Sequence, residues 1–253
     1  MEEICQQTAR QGSRLWIDAE QQILQDTIDT WTIDLMRKYN HNGQIIVYNT
    51  IQAYLKSSRD NVTKHLLAAQ EGGWTLGIKL VRGAYIANET RSRIHDTKKD
   101  TDDNYNGIVE SLLCREFPDG NAISGRFPNV DLFVASHNVY SIRRAYALHS
   151  QRVKDGQPTI PVEYAQLMGM ADDLSCELLD QRMEDLQSSD ERIRAVAPKV
   201  FKCLNWGSVT ELVQNLYRRA VENTDAVQRT KNMATALRGE LYRRTLRSRD
   251  SRS

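Results

Sequence analysis

The four cysteines, Cys5, Cys114, Cys176 and Cys203, lack CxxC spacing, which argues against both a zinc site and a disulfide framework. Scattered thiols suit a reducing compartment. Long apolar runs are missing as well: nothing approaches the roughly 20 residues that a membrane-spanning helix needs. The opening Met1-Glu2-Glu3-Ile4 is acidic and has no apolar signal core, so no organelle address or export signal is expected there. Nor does charge of one sign dominate. With 34 basic against 33 acidic side chains, bulk binding of nucleic acid or of an acidic membrane surface has no electrostatic basis. Ligand binding has to come from local sites.

What is present is a repeated alternation. Six short apolar runs each end in a polar residue: Arg14 to Asp18, Gln44 to Asn49, Leu76 to Arg82, Val130 to His137, Val162 to Gln166 and Pro198 to Cys203. Each leads into a helically spaced stretch, namely Ala19 to Tyr39, Val62 to Ala69, Asn104 to Cys114, Ser141 to Leu148, Leu174 to Arg182 and Val209 to Glu222. Parallel neighbours need a helical crossover, so the pattern predicts a parallel α/β sheet. An open doubly wound sheet and a (β/α)8 barrel share that signature. Polar residues after nearly every strand favour the barrel, because an open sheet concentrates them at one switch point. The 253-residue length fits one such domain. Residues 86–101 and 117–129 break the rhythm and read as functional lids or loose surface loops. The domain is expected over 1–240, and the Arg- and Ser-rich 241–253 reads as a frayed tail.

In a barrel the C-terminal strand tips converge, so Asp18, Lys79, Arg82, His137 and Gln166 are expected to face one ligand. Lys79 either packs its stem with the ammonium reaching solvent or a carboxylate, or meets an anion or a ring inside the mouth. Beside it, Gly83-Ala84 lets a ligand approach the backbone closely. His137, between Ser136 and Asn138 at a strand end, is a structural histidine or a contact to a bound cofactor or substrate. No carboxylate is spaced for a Ser-His-Asp arrangement. Arg218 and Arg219 diverge by about 100° on a helix. Arg218 can pair with Glu222 on the surface, or an arginine fork can grip a carboxylate. A Schiff-base role for Lys79 is a further alternative.

The successive segments Ile17-Asp18-Ala19-Glu20, Tyr48-Asn49-Thr50-Ile51-Gln52-Ala53-Tyr54, Lys79-Leu80-Val81-Arg82-Gly83-Ala84-Tyr85, Ser136-His137-Asn138, Gln166-Leu167-Met168-Gly169-Met170 and Arg218-Arg219-Ala220-Val221-Glu222-Asn223 resemble the proline dehydrogenase family, in wording closest to its fungal members. The resemblance implies a distorted (β/α)8 barrel whose last helix caps the strand ends. It implies FAD as cofactor, L-proline as substrate, 1-pyrroline-5-carboxylate as product and a quinone as electron acceptor. A mitochondrial location and peripheral membrane contact follow from it too. On the matching positions, Arg218 and Arg219 would clamp the proline carboxylate, with Leu167 on the substrate ring and Glu222 nearby. Gln52, Lys79, Val81, Gly83, Ala84, Ser136, His137, Asn138 and Gln166 would line the flavin, with Tyr85 close and Asp18 behind its ring system.

Two departures from the family pattern stand out. The family has two further strands before Ile17-Asp18-Ala19-Glu20, and the 13 residues ahead of Arg14 cannot hold a strand pair. The chain is therefore expected to be a C-terminal portion with about six of eight strands, two open edges and doubtful activity of its own; a non-catalytic remnant is the alternative. Second, Cys203 stands where the family usually places a tyrosine against the substrate ring. A thiol there opens room, which predicts weaker proline binding or tolerance of a bulkier, hydroxylated ring.

Overall fold

The computed structural model describes residues 1–86, 88–120, 125–222, 235, 237–239 and 241–243. Within helix 209–222 the side chains at 215 and 218–222 also lie outside the description, as does most of the expected tail. Among the described residues there are six strands: β1 (Leu15–Ile17), β2 (Val47–Gln52), β3 (Leu76–Val81), β4 (Val130–Ala135), β5 (Val162–Leu167) and β6 (Lys199–Cys203). All neighbours pair in parallel, in the order β1-β2-β3-β4-β5-β6. The crossovers are α2 (Gln22–Tyr39), α3 (Ser58–Gly72), α4 (Lys98–Cys114), α5 (Val139–Lys154) and the pair α6 (Asp172–Leu186) and α7 (Glu191–Ala195). A short helix α1 (Glu2–Arg10) precedes β1, and α8 (Val209–Glu222) follows β6. Strand order that never reverses has no switch point, which settles the choice between open sheet and barrel in favour of the barrel.

The sheet must curl. Arg14, at the start of β1, bonds Glu163 on β5 at 2.6 Å, although four strand spacings would separate them by roughly 19 Å in a flat sheet. Trp16 on β1 likewise meets Phe133 on β4 with ring centroids 5.0 Å apart. The result is a half-barrel with two apolar layers. On the convex side Val47, Ile51, Ile78, Leu80, Leu132, Val134 and Tyr164 pack against Met36, Leu66, Ile108, Leu112, Ile142 and Leu178 of the helices. On the concave side Tyr48, Phe133 and Ala165 pack with Trp16 and Phe201. Burial on both faces explains why the strands read as continuous apolar runs. Among the described residues β1 and β6 each have one strand neighbour.

The second strand differs from expectation, running Val47–Gln52 rather than Gln44–Asn49. Asn40, fully buried after α2, accepts from the Ile46 and Val47 N–H groups through Oδ1 at 2.9 Å. Its Nδ2 donates to the Val47 and Thr75 carbonyls. A side chain thus takes the place of ladder partners at the strand start. At the other end Thr50, Ile51 and Gln52 continue the strand because they pair with Lys79, Leu80 and Val81.

The connection after β3 is tied down along its second half. Leu55 and Ile94 form an antiparallel bridge, Lys56 N–H donates to Arg93 O and His95 N–H to Tyr54 O. Helix α4 then begins at Lys98, earlier than its apolar spacing suggests, because Thr97 and Asp100 form a reciprocal capping box.

Candidate functional site

The site is the C-terminal rim of the concave face. Side chains alternate along a strand, so register assigns each one. Thr50, Lys79 and Phe133 are partners across β2, β3 and β4 and point inward together. One step toward the rim on that face come Gln52, Val81, Ala135, Ala165 and Phe201, and one inward position further on β5 and β6 the paired Leu167 and Cys203. Lys79 Nζ donates to the Asp18 carboxylate just beyond β1, with the lysine largely covered and the aspartate open to solvent. Lys79 therefore has a carboxylate partner and sits on the inward face.

Gln52 ties two rim turns together. Its Nε2 donates to Glu20 O at 2.9 Å, and its Oε1 accepts from Ala84 N–H at 3.4 Å. At Gly83 φ is +136°, and a Cβ there would stand 2.1 Å from the Tyr54 ring, so only glycine brings the backbone past that tyrosine. Tyr54 in turn reaches Glu89, which accepts from Gln22 N–H at the first turn of α2. Tyr85 sits half-buried on the same connection.

After β4, Ser136 Oγ accepts from Asn138 N–H at 3.0 Å, and Asn138 Oδ1 caps α5 by accepting from Ser141 N–H at 3.1 Å. His137 Nε2 accepts from Leu167 N–H at 2.9 Å, which puts the ring proton of the neutral imidazole on Nδ1. The histidine thereby ties the β4 tip to the β5 tip. Gln166, expected to face the ligand, instead points to the helix side of β5, buried, with Nε2 donating to Ser136 O and Oε1 accepting from Ser175 Oγ, so its amide holds the turn from behind.

Arg82 does not face the ligand side as expected. Three residues on from Lys79 and just past the end of β3, it points to the opposite face, where it bonds Asp102, Ser136 and Ser141. Burial pushes the Asp102 carboxyl up, but hydrogen bonds from Lys98 and Arg82 outweigh it and hold the group below its ordinary value.

Arg218, Arg219 and Glu222 lie on the backbone of α8, and their side chains fall outside the described residues. Of the described apolar side chains of that helix, Val209, Val213, Leu216 and Tyr217 are exposed and Leu212 is half-buried, so those four do not form the capping contact implied by the resemblance. The six strands form an open arc, and β6, from which α8 leaves, stands at its edge.

Deeper in the concavity lies a charged layer that sequence reasoning missed. Arg14 bonds Glu163 and Tyr48 Oη, and Tyr48 Oη donates to Asp131 at 3.0 Å. The Arg14 guanidinium lies 5.0 Å from the Trp16 ring and 5.2 Å from that of Phe201. Burial first, and then repulsion from Glu163, push the Asp131 carboxyl from 3.8 to about 6. The available signal was a carboxylate at the second position of two apolar strands, Val130-Asp131 and Val162-Glu163. Two buried donors on the inward face, Trp16 Nε1 and Thr50 Oγ1, have no acceptor among the described residues. Nor do three metal-ligating side chains converge anywhere among them.

The proline dehydrogenase family model matches residues 1–232. A relative in Schizosaccharomyces pombe, named probable proline dehydrogenase, mitochondrial, is 36% identical over 251 residues, which cover 96% of this chain and 49% of the relative. Hydroxyproline dehydrogenase of Bos taurus is 31% identical over 249 residues, covering 96% and 50%. The chain thus spans about half the length of these relatives. Among solved structures, proline utilization A (PutA) from Bdellovibrio bacteriovorus, inactivated by N-propargylglycine, superposes with a TM-score of 0.65 at 21% identity, covering 88% of this chain and 21% of that one. A curled parallel half-barrel, this inward rim and a family match over nearly the whole chain agree: the chain belongs to the proline dehydrogenase family.

Proposed function

We propose that this chain carries the flavin rim of an FAD-dependent dehydrogenase that oxidises L-proline to 1-pyrroline-5-carboxylate in proline catabolism. The observation that carries this reading is the concave face itself: an aromatic patch of Trp16, Phe133 and Phe201 on the same inward surface as Lys79, Gln52 and His137. A flat heteroaromatic ring with acceptor atoms along its edge suits that surface. The buried, unmatched donors Trp16 Nε1 and Thr50 Oγ1 fit acceptors of that kind, since a buried donor without a partner costs about 1–3 kcal/mol.

When bound, FAD supplies the two-electron acceptor, and the protein supplies placement and water exclusion. Lys79, Gln52, Val81, Gly83, Ala84, Ser136, His137 and Asn138 would hold the cofactor, with Asp18 and Tyr85 beside it and Gln166 bracing the rim turn from the helix side. Arg218 and Arg219 would orient the substrate carboxylate bidentately, with Glu222 near them. Leu167 and Cys203 would form the wall against the substrate ring. A quinone acceptor, a mitochondrial location and peripheral membrane contact complete the reading; the relative in S. pombe is named mitochondrial.

Cys203 favours a second reading for the substrate. It is exposed on the inward face beside Leu167. Its small side chain leaves room for a hydroxylated ring, and the bovine relative is named for hydroxyproline.

The test is anaerobic addition of L-proline, and separately of hydroxyproline, to the protein loaded with FAD. Bleaching of the visible flavin absorbance by either imino acid supports the reading. Protein that takes up no flavin, or bound flavin that neither reduces, contradicts it.

A further inference from the structure

We infer that Arg82 is a positioning residue for the flavin rim: from the helix side of β3 it sets the Ser136–Asn138 turn so that His137 and Asn138 are presented on the ligand side. The inference rests on the flavin reading above. Arg82 follows Leu80 onto the convex face while its neighbours Val81 and Gly83 stay on the rim. Its three nitrogens are each committed. Nε donates to Asp102 Oδ1 at 2.6 Å, Nη1 to Ser136 Oγ at 2.6 Å and Nη2 to Ser141 Oγ at 2.8 Å. The guanidinium carbon lies 4.4 Å from the Tyr105 ring centroid, which fixes the plane of the fork.

The two serines are not arbitrary partners. Ser136 Oγ accepts from Asn138 N–H, and Ser141 N–H donates to Asn138 Oδ1. Arg82 therefore grips both ends of the turn that carries His137, with Asp102 and Tyr105 of α4 as its anchor. Because His137 also accepts from Leu167 N–H, a displacement of the turn passes directly to the β5 tip. A planar fork can reach both hydroxyls at once, whereas a lysine offers a single point charge. The position demands arginine for its geometry rather than its charge.

The experiment titrates FAD into the full chain, reading flavin fluorescence and the visible spectrum of the bound cofactor, for wild type, Arg82→Lys, Ser141→Ala and Leu112→Ala. Leu112 is a fully buried core residue of α4 and serves as a control for general destabilisation. Arg82→Lys is expected to weaken FAD binding roughly 10-fold or more and to shift the bound-flavin spectrum. Ser141→Ala, which removes one anchor, should show the same changes to a smaller degree and stands in if the lysine variant does not fold. Leu112→Ala should lower the urea midpoint while leaving the spectrum unchanged. Wild-type affinity and spectrum in Arg82→Lys, or in Ser141→Ala where the lysine variant does not fold, overturn the inference, as does an equal spectral shift in Leu112→Ala. Wild-type protein that binds no FAD overturns the flavin reading together with it.

Discussion

Replacing Asp131 with asparagine should make the protein more stable at neutral pH than at pH 4, relative to wild type. Asp131 is 8% exposed on the concave face, accepts from Tyr48 Oη, and lies in the field of Glu163. Its pKa is raised from 3.8 to about 6, so the folded protein holds this proton more tightly than the unfolded chain does. Between those two values the unfolded state ionises while the folded state stays protonated. Stability is therefore lost as pH rises through that window, and the whole cost is present above about pH 6. At about 1.4 kcal/mol for each tenfold change in proton affinity, the cost is about 3 kcal/mol. Asparagine never ionises and keeps an oxygen for Tyr48. Urea unfolding of both proteins across this range should show the mutant-minus-wild-type difference climbing by about 3 kcal/mol from low pH to neutral. Taking the difference also cancels His149, whose burial lowers its pKa from 6.5 to about 4 and makes stability rise with pH over nearly the same interval. A difference that stays flat to within about 0.5 kcal/mol would refute the assignment of a buried, repelled carboxylate.

Three further outcomes follow from single contacts. Gly83→Ala forces a Cβ against the Tyr54 ring at φ +136° and should cost at least about 1–3 kcal/mol in urea unfolding; a loss below about 0.5 kcal/mol contradicts the clash. Asn40→Ala strips partners from Ile46 N, Val47 N, Val47 O and Thr75 O, and should cost about 3 kcal/mol or more by the same assay. Cys203→Tyr narrows the proposed substrate wall, so the ratio of kcat/KM for proline over hydroxyproline should rise roughly 10-fold; an unchanged ratio removes Cys203 from that wall.

Much of this fold was legible because β2 to β5 are covered on both faces and so read as apolar runs bounded by polar tips. What escaped was contact across sequence distance. The start of β2 is set by the Asn40 side chain, which no local apolar pattern registers. The charged layer links Tyr48 to Asp131, 83 residues away, and Arg14 to Glu163, 149 residues away, and in sequence each carboxylate looks like an ordinary polar position of a strand. Arg82 was misplaced for a different reason. Strand alternation already sends it to the face opposite Lys79, and its neighbourhood of rim residues drew it wrongly to the ligand side. Helix α1 is nine residues long and buries only Cys5, with Ala9 packed beside it, too short a segment for two apolar positions to be read as a helix. The motif positions of Lys79, Gln52 and His137 were legible through resemblance, while the pairing of Lys79 with Asp18 and of His137 with Leu167 needed coordinates.

The most direct measurement is an FAD titration of wild type and Lys79→Met, since Lys79 is the one inward cation at the rim among the described strand residues. One flavin should bind per wild-type chain, with affinity weakened roughly 10-fold or more by the substitution. Equal affinity in the two proteins, or no saturable binding in either, would contradict the flavin reading.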